Sequence, residues 1–224
     1  MTAGAVTRWR FDWTRTSMSE EERFNGSTHL LGLVLAVAAS AALIGRASEL
    51  GVDYGQIAGC VIFAASMIVV YASSVLYHWT RGPLKKFWRK VDHCAIYVLI
   101  AGTYTPLATS PVGNEWKTIG GVAIWLIACV GISRELSSAH AAAPSLPLYL
   151  AMGWLGVIFA APVVASLSPA GLAWLLAGAA FYTAGTVFYT KRWRYAHGIW
   201  HLFVVGGSAC HFMTIFGLLP NMPA

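Results

Sequence analysis

Seven predominantly apolar blocks, separated by short polar segments, run along the chain. They cover roughly residues 28–44, 56–77, 91–109, 118–132, 146–166, 169–189 and 197–219, each about long enough to cross the hydrocarbon core of a bilayer as a helix. The pattern predicts an all-α integral membrane protein. A seven-transmembrane helix bundle over 28–219 follows a polar N-terminal tail (1–27) and precedes a short C-terminal tail (220–224). A short interfacial helix is expected near residues 9–13, and Pro106 is expected to bend the far end of the third block. Small residues within 35–42 imitate a signal-peptide cleavage site, but Glu20, Glu21 and Glu22 ahead of them and the length of the run favour a retained first span.

Composition supports the membrane reading. Hydrophobic residues make up 57% of the 224 positions and charged residues 11%, against about 25% charged in a soluble domain. Ten Trp and nine Tyr suit a chain with many water–lipid boundaries. The net charge of +6 does not form a basic face: Lys and Arg sit in short clusters between apolar blocks, which excludes a nucleic-acid partner and makes them orientation signals. Of the 15 Lys and Arg residues, only Arg46 and Lys117 fall on the side opposite the N-terminal tail. That asymmetry places the N terminus in the cytoplasm and the C terminus outside. Cys60, Cys94, Cys129 and Cys210 lie within apolar blocks without metal-type pairing and read as small buried hydrophobes.

With alternating spans, the polar residues inside the apolar blocks collect at one depth. His29 opens the first span, His78 closes the second, Asp92 and His93 open the third, and His197 and His201 open the seventh. All belong at the cytoplasmic end. His197 and His201 are one helical turn apart and can close on one metal ion, with His78 as the third imidazole. Three neutral imidazoles leave a tetrahedral zinc one open position for a water. An ionisable Asp92 at membrane depth needs a bundle interior, a cavity or a partner. It is a candidate to hold the water or accept its proton, and Ser74, one turn before His78, to orient the water or a carbonyl.

Each assignment has a plainer alternative. The histidines also read as hydrogen-bonded interfacial side chains, Asp92 as an ion-pair partner of Arg89 or Lys90, and Ser74 as a small residue at a helix contact. His93 points about 100° away from Asp92 and is expected to bond a neighbouring span, whereas His211 lies about 15 Å deeper than His201. Asn25 and His29 are expected to form a polar seam or gate near the cytoplasmic surface. His140, in the fourth connection, is expected to be solvated. The chain has no His-Glu-x-x-His, Gly-x-Ser-x-Gly, phosphate-loop or dinucleotide motif.

These residues, taken in order, resemble the hemolysin III family, within a wider group that includes progestin and adiponectin receptors and, more distantly, alkaline ceramidases. The resemblance follows Glu21 through Asn25 and His29, then Ser74-x-x-Tyr77-His78, Val91-Asp92-His93 and Ile96-Tyr97. It continues through Ala101-Gly-Thr-Tyr-Thr-Pro106, His197-x-x-Trp200-His201 and His211-Phe212. It implies a seven-helix bundle with zinc near the cytoplasmic side. The family's ligands match His78, His197 and His201, its water-linked acid matches Asp92, and its nearby serine matches Ser74. Expected partners are membrane lipids, and the expected location is a multi-pass position in the bacterial inner or plasma membrane. Three function classes follow: a zinc-dependent hydrolase of a lipid amide such as a ceramide-like molecule, a membrane-active protein that makes cells leak, and a lipid-sensing or membrane-homeostasis protein whose zinc is structural.

Overall fold

The computed structural model describes residues 18–137 and 145–219. The expected interfacial helix near residues 9–13, His140 and the C-terminal tail lie outside the described residues. Within them the chain forms seven helices: α1 (Glu20–Glu49), α2 (Tyr54–Trp79), α3 (Leu84–Ala108), α4 (Glu115–Ser137), α5 (Leu146–Val164), α6 (Pro169–Tyr189) and α7 (Ala196–Leu218). Six are long and apolar enough to cross a membrane. The exception is α3, whose first half carries Lys85, Lys86, Arg89, Lys90, Asp92 and His93.

Two helices begin well before the apolar blocks. Helix α1 starts at Glu20 because Ser19 caps it, accepting a hydrogen bond from the Glu22 amide at 3.1 Å, and because Glu20, Glu21 and Glu22 complement the positive end of the helix dipole. Helix α3 starts at Leu84, so the basic connection expected before residue 91 is largely helical. Hydropathy marks the part of a helix that suits lipid, whereas caps and dipole charges mark where the helix ends. Pro106 lies inside α3.

Helix α2 packs between α1 and α3, α7 packs between α6 and α1, and α4 and α5 gather against α3. Helices α5 and α6 meet only lightly. One apolar core joins Leu43, Phe63, Tyr71, Leu99 and Val204 from α1, α2, α3 and α7; a second joins Tyr97, Ile124, Tyr149 and Met152 from α3, α4 and α5. Large apolar side chains also face outward. Val122, Leu126 and Val130 recur every four residues along α4 and are all exposed, forming an apolar stripe suited to lipid. Cysteines are divided between these environments: Cys60 and Cys210 are buried as expected, whereas Cys129 is exposed on the outer face of α4.

Close helix contacts rely on small residues, as is usual between membrane helices. At Gly59 a methyl group would sit 2.3 Å from Thr109 Oγ1 and 3.0 Å from the Cα of Pro106, so α2 and α3 approach there nearly backbone to backbone. At Gly45 of α1 nothing lies within 4 Å. Gly59→Ala is therefore expected to destabilise the bundle by about 1–3 kcal/mol through overpacking. Gly45→Ala is expected to be neutral or to add about 0.5–1 kcal/mol through helix propensity. Unfolding of both variants in detergent checks the contrast.

Candidate metal centre

Three chain-distant segments meet at one end of the bundle: the first turns of α1, the last turn of α2 and the first turns of α7. Along α1, Glu22, Asn25 and His29 recur at spacings of three and four and so share one helix face. Helix α7 begins after Tyr195, whose φ of 68° lies in the left-handed region and turns the chain into the helix. Gly198 then lets α7 press against α1, because a methyl group there would sit 2.4 Å from the Phe24 ring and 2.8 Å from Asn25 Oδ1. Arg194 pairs with Glu20, and the Phe24 and Tyr195 rings meet edge to face at 5.1 Å. The close approach at Gly198 and the Phe24–Tyr195 contact hold the start of α7 against the start of α1, whereas the exposed Arg194–Glu20 pair adds little.

His78, His197 and His201 converge there, each offering a ring nitrogen within 4.8 Å of the others. Their ring centroids are separated by 5.2 Å (His78–His197), 5.0 Å (His78–His201) and 4.5 Å (His197–His201). Tetrahedral zinc with Zn–N bonds of about 2.0–2.1 Å places its ligand nitrogens about 3.3 Å apart, so the set fits after ring movements on the order of 1 Å. The donor chemistry fits as well. His78 is 3% exposed and its Nε2 is buried without a hydrogen-bond partner, while its Nδ1 lies 2.8 Å from Glu22 Oε2. His201 is 2% exposed, and its Nδ1 lies 3.0 Å from the carbonyl oxygen of Asn25 and 3.1 Å from Thr28 Oγ1.

The other sequence candidates divide into near and far groups. Asn25 and His29 border the three histidines directly: the His29 ring stacks on His201 at 3.6 Å and meets Tyr71 edge to face at 5.1 Å. Asp92 is buried beside Ser74, itself fully buried on α2, but its carboxylate does not join the histidine group. His93 turns to α4, with Nδ1 2.9 Å from Glu135 Oε1. His211 sits deeper in the bundle, against Gly178 and Tyr182 of α6.

Two residues at the site were not singled out from the sequence. Glu22 contacts His78, and the ammonium of Lys85 holds the same Glu22 oxygen at 3.1 Å. The α1 signal was legible only with the helix begun at Ser19, which puts Glu22 in register with Asn25 and His29. Lys85 gave no such signal within a run of basic residues.

Below this end of the bundle, α3, α5, α6 and α7 enclose a cavity of about 100 Å3. Its lining is almost wholly apolar, including Ile96, Leu150, Trp154 and Val204, with Thr183 and His211 among the few polar groups. Trp200 and Val204, which flank His201 on α7, form part of its wall.

Known proteins resemble this chain over most of its length. A family model described as Haemolysin-III related matches residues 18–212. The chain is 38% identical over 207 residues to a hemolysin-3 homolog of Bacillus subtilis (strain 168), covering 91% of this chain and 97% of the relative. It is 35% identical over 214 residues to hemolysin-3 of Bacillus cereus, covering 92% and 95%. The human monocyte to macrophage differentiation factor is 29% identical over 223 residues, covering 91% and 86%. With its six apolar helices and a match over nearly the whole described chain, the protein belongs to the hemolysin III family of multi-pass membrane proteins.

Proposed function

We propose that this protein is a zinc-dependent hydrolase of lipid amides, of which ceramide-like molecules are the model substrate, working at the cytoplasmic end of a seven-span bundle in the bacterial plasma membrane. In this reading α3 is the seventh span, shielded by its neighbours, and the N terminus lies in the cytoplasm with the C terminus outside. The convergence of buried His78 and His201 with half-buried His197 carries the proposal. Histidines alone give a site suited to zinc rather than to calcium or magnesium, which favour oxygen ligands.

Zinc held by His78, His197 and His201 would supply Lewis acidity and make a nearby water a better nucleophile. The chain's own residues supply the rest. Asp92, an acidic group kept from bulk solvent beside Ser74, takes the proton from the attacking water and returns it to the leaving nitrogen. Ser74 donates a hydrogen bond to the amide carbonyl and holds it in line for attack. The apolar cavity between α3, α5, α6 and α7 receives the acyl chain, with the light contact between α5 and α6 as its side toward lipid.

A second reading is favoured by the elements that the histidines join: a metal held by α2 and α7 would staple two chain-distant helices without chemistry. The two readings share the metal and differ in turnover. Detergent-purified protein is expected to carry about one zinc per chain, measured by elemental analysis. That metal is lost in folded His78→Ala, His197→Ala and His201→Ala variants and retained in His29→Phe, which keeps a flat ring against His201 without offering a nitrogen.

On a ceramide-like amide, Asp92→Asn is expected to keep zinc and lose about 100-fold to 10,000-fold in kcat, the range for a general base. Ser74→Ala is expected to lose about tenfold, equivalent to one hydrogen bond of about 1–1.5 kcal/mol. Zinc-loaded, folded protein that turns over no lipid amide and melts lower once stripped of metal would establish the staple reading instead. Leakage of dye from vesicles that is unchanged in the histidine variants would instead establish the lytic activity that the relatives' hemolysin names suggest.

A further inference from the structure

The first turns of α1 contact Nδ1 of His78 and Nδ1 of His201. We infer that Glu22 is the positioning residue of this centre, holding His78 as the tautomer protonated on Nδ1 so that the lone pair of Nε2 faces His197 and His201. The inference deepens the zinc reading and rests on it.

Hydrogen-bond polarity leads to the tautomer. The Glu22 carboxylate accepts, and its Oε2 is 2.8 Å from His78 Nδ1, so the ring proton belongs on that nitrogen. The other nitrogen, Nε2, is then an unprotonated lone pair, and it is the one buried without a partner. The same logic applies to His201. Its Nδ1 lies 3.0 Å from the Asn25 carbonyl oxygen, which can only accept, leaving Nε2 as the ligand atom. Two of the three imidazoles are thus preset for Nε2 ligation by one face of one helical turn. An outer carboxylate of this kind fixes ring orientation and raises the basicity of the ligating nitrogen.

Glu22 is itself held. Lys85 Nζ donates to Glu22 Oε2 at 3.1 Å and to the Tyr77 carbonyl at 2.8 Å, and it lies over the Tyr77 ring, 4.6 Å from its centroid. The side chains of Lys85 and Glu22 are 6% and 18% exposed, so water competes weakly for the pair. Lys85 from the start of α3, Glu22 from the start of α1 and His78 from the end of α2 form one chain of contacts. The spacing of Ser19 and Glu22 is that of a capping box. Ser19 makes its half of that motif, whereas the Glu22 carboxylate is engaged by His78 and Lys85. The helix start and the metal centre therefore share one residue.

The test is the zinc affinity of full-length protein in detergent, measured by competition with a chelator, together with the melting temperature of the metal-free form and the nitrogen chemical shifts of His78. Glu22→Ala is expected to bind zinc about 10-fold to 100-fold more weakly, the usual cost of removing an outer-shell partner. Its metal-free melting temperature is expected to fall, because His78 and Lys85 lose a contact in a place with little water, and His78 should become a mixture of tautomers. Glu22→Gln retains a carbonyl acceptor and should lose less, with the Nδ1–H tautomer kept.

Glu20→Ala, in the same turn but paired with Arg194, should bind as wild type. Should the alanine variant fail to fold, Glu22→Gln and Lys85→Met replace it, and both must weaken zinc binding for the inference to stand. Wild-type protein that binds zinc while folded Glu22 variants bind it within about threefold overturns this inference and leaves the zinc reading intact. So does a weakening matched by an equal loss of metal-free stability with unchanged histidine shifts. Wild-type protein that binds no zinc overturns both.

Discussion

Everything at the functional end of this protein depends on bringing the last turn of α2 to the first turns of α7 across a separation of more than a hundred residues in the chain. Imidazoles at such distances in sequence have no reason to meet unless the bundle closes, and closure here is the packing of α7 against α1. Gly198 makes that approach possible by presenting no side chain to Phe24 and Asn25. The arrangement has a cost, because His29, His78 and His201 are all nearly excluded from water. Ring stacking, the Asn25 carbonyl and the Glu22 carboxylate offset part of it. A cation would meet the remaining demand at His78 Nε2.

The polar groups are organised by depth. Nearest the helix ends lie Glu22, Lys85 and the three histidines; one layer deeper, Tyr71 donates to Ser208 at 2.7 Å, and Tyr182 and Ser208 share a hydrogen bond of 2.8 Å. Below and beside them the cavity wall is apolar. A polar end joined to an apolar interior matches an amphiphile with a polar bond at one end and a hydrocarbon chain beyond it. In the proposed reading this gradient would link the candidate metal site to a lipid substrate, and it arises because α7, which carries two of the histidines in its first turns, continues into the apolar cavity wall.

Much of this was legible in the linear chain, though unevenly. Positions of the apolar blocks located all seven helices, and block six coincides with α6 at both ends, where Ser168 and Pro169 provide an unambiguous start. The starts of α1 and α3 were missed by about eight residues because polar first turns do not register as hydropathy. That error concealed Glu22: outside a helix it is one of three consecutive acids, and inside one it shares a face with Asn25 and His29. His78, His197 and His201 were legible because an imidazole at the end of an apolar block is costly without a purpose. The destination of His93, which turns to Glu135, was not, since no local pattern ties α3 to the end of α4.

The sequence by itself determined the membrane class, the number of helices and the common depth of the candidate ligands, since hydropathy and the alternation of basic loops act locally and add up along the chain. Only the tertiary structure decided which imidazoles face one another, that Nδ1 of His78 and of His201 is held by α1, and that an acidic residue of the first helical turn stands behind His78. Those depend on helix rotation and on which helix packs against which. Rotation is set by small residues such as Gly59 and Gly198, whose effect on the distance between two backbones has no signature in the pattern of apolar and polar positions.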